Sequence, residues 1–247
     1  MMQSGSAKGA GGSAMVKVRS EPAFVLSAQP WKETSLIAEL LTQHHGRVTV
    51  VVRGAKRTSS RFRGLINPFV PLLTSFSGAG EIKNLTDARW LGGLAPIEPD
   101  ALVSAFYVNE LVLRLTVRQD PCKELFEAYT QVLGDLALKQ GKQLSAALRR
   151  FEIRLLGFLG WSQSAKIREI QAGGNWIVRE GELVAVEAPS EGEVAVSRAA
   201  ALAVAAGEIP ESSDLREIRD VLRRIIGYYV GDRGFKTRRT VEYWTQF

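Results

Sequence analysis

Between Ala23 and about Arg89 the apolar positions come in short runs whose period is close to two. AFVLSAQ (23–29), SLIAELLT (35–42), RVTVVVRG (47–54), FVPLLTSF (69–76) and EIKNLTDARW (81–90) are β-rich, and Gly, Pro or polar residues separate most of them. Five strands in fewer than seventy residues predict a small barrel. Only the piece around Ile37–Leu41 reads both ways, because Glu39, Leu40 and Leu41 also favour helix and periodicity cannot settle so short a segment.

Past Pro96 the period lengthens to about 3.6. Asp100 is placed to cap a helix over 101–117, and Pro121 introduces another over about 122–139 that aligns Leu125, Tyr129, Val132 and Leu136. A third helix carries Leu144, Ala147, Leu148, Phe151, Leu155, Phe158 and Leu159 in one stripe and ends in the Gly157–Gly160 region. Three such helices predict a bundle. NWIVREGELVAVE (175–187) reads as a hairpin with Arg179–Glu182 as its turn. Two helices follow, one after the potential cap Ser197 and one after Ser212 or Ser213, the latter aligning Leu215, Ile218, Leu222, Ile225 and Tyr229. The expected organisation is a flexible tail over 1–20, a barrel domain over 21–95, and a helical domain over 96–247 with a hairpin insertion at about 162–190.

Composition narrows the class. A hydrophobic fraction of 45% with 23% charged residues argues against wholesale disorder. Ala101–Val117, the most apolar run, is interrupted by Asn109, Glu110 and Arg114 and reads as a buried helix, not a membrane span. The first fourteen residues lack the apolar stretch of a secretory signal, and Met15 offers an alternative start. A lone cysteine, Cys122, excludes an intramolecular disulfide and a cysteine-rich zinc site. His44 and His45 are adjacent and diverge in direction, so a turn beside Gly46 is their simplest role. No cofactor is expected.

The net charge of +6 and pI near 9.6 favour polyanionic partners, but the placement of the charge says more. RGAKRTSSRFRG (53–64) puts Arg53, Lys56, Arg57, Arg61 and Arg63 on one strand connection without an intervening acid, a pattern suited to tracking a phosphate backbone. Phe62 sits among them, either to stack on a base or to anchor the loop to the barrel. A second cluster holds Arg233, Lys236, Arg238 and Arg239, opposed locally by Asp232. For both clusters the plainer alternative is a solvated surface. Catalytic patterns are missing: the chain has no GxxxxGK[ST], GxSxG, HExxH or EF-hand match, and GAGE (78–81) and Gly173–Gly174 read as turns.

AFVLSAQPWKETSLIAELLTQHHGRVTVVVRGAKR followed by NPFVPLLTSFSGAGEIKNL resembles the N-terminal part of the RecO family, and FYVNELVLRL (106–115), LFEAY (125–129) and ALRRFEIRLLGFLGW (147–161) resemble its helical part. The ordered matches run from about Glu21 to Arg239. The resemblance implies an α+β, multi-domain chain: a five-stranded OB-fold barrel, then an α-helical bundle with a small β-hairpin insertion. It implies a cytoplasmic, nucleoid-associated, non-enzymatic mediator that binds single- and double-stranded DNA, anneals complementary strands and helps to load RecA on DNA covered by single-strand-binding protein. A RecR-like partner and the acidic, phenylalanine-ending tail of the single-strand-binding protein are implied as contacts. For that tail, Arg149, expected to face away from the apolar stripe, with Leu125, Phe126 and Tyr129 beside it, offers a cation next to an apolar slot if the second and third helices are adjacent. The four-cysteine zinc site of some members has no counterpart in SQSAKIREIQAGGNW (162–176), so Trp161 and Trp176 are expected to hold the insertion by packing. The rival reading is a protein-interaction adaptor that recruits partners through its helical surface.

Overall fold

The computed structural model describes residues 15–231 together with Phe235 and Thr237. They form two compact units, the first holding residues up to Leu40 and Val48–Leu91, the second Leu41–Arg47 and the chain from Gly92 onward.

The strands β1 (Val16–Trp31), β2 (Ser35–Thr42), β3 (Gly46–Val52), β4 (Pro71–Gly78) and β5 (Ile82–Trp90) close into a barrel in the order β1-β2-β3-β5-β4. Closure needs β1 to serve two neighbours. Its first half pairs antiparallel with β4 from Val16↔Gly78 to Phe24↔Pro71, with an irregularity between Val18 and Glu21 that bends the strand. β3 and β5 pair in parallel, with Thr49 opposite Ile82, and the chain can return in that direction because the long β3–β4 connection and β4 itself lie between them. This is the OB-fold arrangement. Strand alternation explains the core: Val48, Val50 and Val52 all point inward to meet Val25, Leu40, Leu72 and Phe76. Each such fully buried side chain contributes roughly 1.5–3 kcal/mol relative to exposure. Ile37–Leu41 is strand, and Thr49 donates to Glu39 across the β2–β3 pair at 2.6 Å. β1 begins at Val16, inside the segment expected to be tail.

The second unit contains α1 (Pro99–Leu115), α2 (Lys123–Leu138), α3 (Gly141–Phe158), the short α4 (Ile167–Ala172), α5 (Arg198–Ala206) and α6 (Leu215–Val230). Two caps differ from expectation. Glu98 occupies the α1 cap with Pro99 in its first turn, so Asp100 lies inside the helix, where its charge still complements the dipole. For α6 the cap is Asp214, whose carboxylate accepts from the Arg216 and Glu217 amides at 2.9 and 3.3 Å. Its position directly before the first apolar residue makes Asp214 a better cap than Ser212 or Ser213.

The insertion forms β6 (Asn175–Arg179) and β7 (Glu182–Val186), joined by Glu180 and Gly181, both at positive φ (50° and 76°) as a tight hairpin turn of this hand demands. A third strand, β8 (Ala195–Val196), adds to β6; two residues carry no readable period. Trp176 is fully buried, and Trp161 is buried with its indole N–H donating to the Gly181 carbonyl at 2.9 Å. Both tryptophans thus hold the insertion. His44 and His45 lie in the turn that leads from β2 to Gly46 at the start of β3.

Candidate nucleic-acid interface

The β3–β4 connection, residues 53–70, is a succession of turns. Gly54, at φ 68°, leads the chain out of β3; the Arg57 amide then donates to Gly54, Ser60 to Arg57, Arg63 to Ser60 and Leu65 to Phe62. Ala55, Phe62 and Ile66 drop into the barrel core between these turns. Phe62, at 6% exposure, therefore anchors the loop and has no face free to stack on a base. Its burial fixes where the neighbouring cations must emerge, because residues on either side of a buried ring are driven outward.

Arg53, Lys56, Arg57, Arg61 and Arg63 are all exposed, and none pairs with a carboxylate among the described residues. They are not equivalent. The Lys56 amide donates to the Thr34 carbonyl at 2.9 Å, tying the loop to the β1–β2 turn. Arg53 and Arg57 then share a cleft of about 550 Å³ with Trp31, Lys32, Thr34, Ser35, Val51 and Asn84. Arg61 turns the other way: it donates to the Thr86 carbonyl and lies 5.0 Å over the Phe62 ring. Arg63 donates to the Thr58 carbonyl at 3.4 Å. Three cations, Lys32, Arg53 and Arg57, thus share the cleft with Trp31, which keeps 42% of its surface exposed.

Sequence reasoning missed Trp31, Lys32 and Asn84. A tryptophan closing an apolar strand reads as core, and only the sharp turn at Lys32, φ 53°, leaves it at the mouth of the cleft. The Pro-Trp-Lys order, an aromatic and a cation entering a turn, was the available signal.

Charge is distributed to match. Residues 15–94 hold eleven Lys and Arg against five Asp and Glu, whereas 95–247 hold twenty against twenty-one. The excess positive field belongs to the barrel segment.

The second basic cluster, Arg233, Lys236, Arg238 and Arg239, lies outside the described residues. Phe235 and Thr237 lie within them: Phe235 packs edge-on against Tyr107 at 5.2 Å, and Thr237 donates through its amide and hydroxyl to Glu110 at 2.8 and 2.6 Å.

The expected partner slot on the helices has a different geometry. α2 and α3 do pack together, but Leu125, Phe126 and Tyr129 are buried in the helical core. Arg149 is buried as well, at 8% exposure, and its guanidinium meets the Glu152 carboxylate at 2.9 Å. Tyr107 donates to the same Glu152 oxygen at 2.8 Å. Burial drives the Glu152 carboxyl above its ordinary range, with Arg149 and the Tyr107 hydrogen bond opposing the shift; burial, then the Glu152 charge, raises the Tyr107 hydroxyl. Arg149 is therefore the counter-ion of an interior carboxylate, not an exposed cation beside an open slot. Apolar walls and cations do coincide elsewhere on this unit, in a groove where Lys139, Lys142 and Arg150, with one acid, Glu211, line a wall of Ile209, Pro210 and Leu215.

Among the described residues, no three His, Cys, Asp or Glu side chains gather to hold a metal ion, and no helix is long and apolar enough to cross a membrane.

Comparison with known proteins covers most of the chain. A family model described as recombination protein O N terminal matches residues 15–94, and one described as recombination protein O C terminal matches 98–239. The chain is similar to the DNA repair protein RecO of Aromatoleum aromaticum, 36% identical over 236 residues that cover 92% of this chain and 96% of the relative. The RecO of Azoarcus sp. is 36% identical over 237 residues with the same coverage. That of Variovorax paradoxus is 37% identical over 247 residues, covering 90% of this chain and 95% of the relative.

Proposed function

The chain belongs to the RecO family of DNA repair proteins, with a role in recombinational repair, and from that premise we propose that it is a mediator that grips single-stranded DNA on its barrel, anneals complementary strands and assists RecA loading. The observation that carries the reading is the cleft that Lys32, Arg53 and Arg57, unpaired with any described carboxylate, share with the part-exposed Trp31. OB barrels take strands on the face and loops to which this cleft belongs. The cations neutralise phosphates and release their counterions, and the indole supplies a stacking platform for whichever base lies over it.

Neither contact reads a base edge, so binding is independent of sequence and extends, more weakly, to duplexes. Annealing then needs no nucleotide hydrolysis. The protein screens phosphate repulsion between two strands, and pairing of the bases supplies the driving force. Trp31→Ala should weaken single-strand binding about tenfold or more, since stacking contributes roughly 1–3 kcal/mol per base. Duplex affinity should change little, because paired bases offer no open face. Anisotropy titrations with labelled oligo-dT and with a hairpin duplex measure both; an equal loss on the two would remove Trp31 from the base-stacking role.

A RecR-like protein and the acidic tail of the single-strand-binding protein remain the proposed partners, with RecA engaged indirectly on nucleoid DNA. The tail requires an apolar slot for its aromatic end and cations for its carboxylates. Lys142, whose ammonium donates to the Glu211 carbonyl at 2.7 Å, and Arg150 stand over Ile209, Pro210 and Leu215 and supply that chemistry, whereas Lys139 is already paired with Asp135 at 2.7 Å. Lys142→Glu should reduce affinity for a tail peptide about tenfold in calorimetry and leave binding of naked single strands unchanged. Full retention of peptide affinity would move the tail elsewhere.

A further inference from the structure

The excess charge of the barrel hides a second feature, because on the balanced helical unit a group of exposed arginines stands along α3 and α6. Lys142, Gln143 and Arg150 of α3 share a groove with Leu215 at the start of α6, and Leu156 of α3 shares a hollow with Tyr229 at the end of α6. The two helices, packed against each other, therefore run in the same direction. Arg150 and Arg154 stand one turn apart on the exposed face of α3. On α6, Leu215, Arg219 and Arg223 succeed one another at four-residue intervals, so the arginines continue up the flank that begins at the groove; Arg216 is exposed beside them. The opposite flank of α6 is occupied: Glu217 accepts from Ser197, and Arg224 donates to the Val194 carbonyl.

We propose that this arginine-lined α3–α6 seam is a second track for a nucleic-acid strand, separate from the barrel cleft. Among the described residues Arg150, Arg154, Arg216 and Arg223 have no carboxylate partner, and Arg219 alone is paired, with Asp220 at 2.9 Å on its own helix. All five cations are arginines, whose planar forks match phosphate oxygens two at a time. From Arg216 to Arg223 the row rises about 10 Å along α6, away from the apolar walls of the groove. An acidic peptide with an aromatic end would be satisfied within the groove. A row of guanidinium groups that continues past it suits a linear polyanion that needs no apolar anchor.

The consequence rests on the reading that the barrel holds one single strand. Annealing requires two strands on one particle, and the seam gives each molecule a place for the second. The test uses the full-length protein loaded on immobilised oligo-dT and offered a second, labelled oligo-dT that cannot pair with the first. Wild type should capture it. The Arg154→Ala/Arg219→Ala/Arg223→Ala variant should lose capture at least tenfold and slow annealing of complementary strands to a similar degree, with first-strand affinity within twofold of wild type. The corresponding three-lysine variant should keep most of the capture, which separates loss of charge from loss of fold. Undiminished capture by the alanine variant overturns the proposal, as does a variant that loses the acidic tail peptide and retains the second strand. If instead Lys32→Ala/Arg53→Ala/Arg57→Ala leaves first-strand affinity intact and the seam variant abolishes it, the barrel reading fails and the seam stands.

Discussion

Replacing Arg149 with alanine should destabilise the helical unit by about 3–5 kcal/mol at neutral pH, because the change strands the Glu152 carboxylate in an interior where water cannot solvate it. Glu152 is 1% exposed and keeps only the Tyr107 hydroxyl once the guanidinium is gone. The same geometry predicts the rescue. Arg149→Met combined with Glu152→Leu removes both charges together and should recover most of the loss, since a buried pair is often replaceable by apolar side chains of similar size. The pH dependence follows in sign. Burial already raises the Glu152 carboxyl, so the native state binds its proton more readily than the unfolded chain does, and stability falls as pH rises from the ordinary carboxylate range through the native value. Without Arg149 that shift grows. The variant should therefore be closest to wild type near the ordinary carboxylate range and fall progressively behind as pH rises. Thermal unfolding from pH 5 to pH 8 checks both parts; a penalty below about 1 kcal/mol, flat with pH, would mean that the pair is solvated. A further consequence is that lost partner binding in an Arg149 variant reports a damaged fold, not a missing contact.

That residue also shows where sequence reading stopped. The barrel was legible because strand periodicity and turn residues agreed along most of it, with only Ile37–Leu41 open between strand and helix and the start of β1 placed too late. The five longer helices were legible from their period, as was the Ser197 cap, whose hydroxyl accepts from the Ala200 amide at 3.2 Å, but the caps of α1 and α6 and the six-residue α4 were not. Burial of an arginine is a different kind of fact. Positions 149 and 152 belong to the polar side of a 3.6-residue pattern, and only a second layer of helices, supplying Tyr107 from α1, turns that side inward. The cation cluster at 53–63 was equally plain in the sequence, yet its division into Arg53 and Arg57 facing the cleft and Arg61 held on Thr86 depends on the ring of Phe62 entering the core. Pattern gives the class of an interface. The choice among neighbouring cations is made by which apolar residue between them is buried.

The salt dependence of strand binding tests that choice. Each phosphate contact on a single strand contributes about 0.7 to the slope of log affinity against log salt, so Lys32→Ala/Arg53→Ala/Lys56→Ala/Arg57→Ala should flatten the slope by nearly three units. At low salt it should weaken binding roughly a hundredfold, taking about 0.7 kcal/mol for each exposed charged contact. Arg61→Ala/Arg63→Ala, which removes guanidinium groups committed to the Thr86 and Thr58 carbonyls, should shift the slope by less than one. Neither effect should depend on base composition, because backbone charge carries no sequence information. Titrations of oligo-dT and of a mixed-sequence strand from about 50 to about 300 mM salt distinguish the two variants. Equal slopes for both would mean that the loop acts as a diffuse cloud of charge. A steeper loss for the Arg61 and Arg63 pair would place the strand on the far side of the loop, away from Trp31, and with it the whole account of stacking in the cleft would fall.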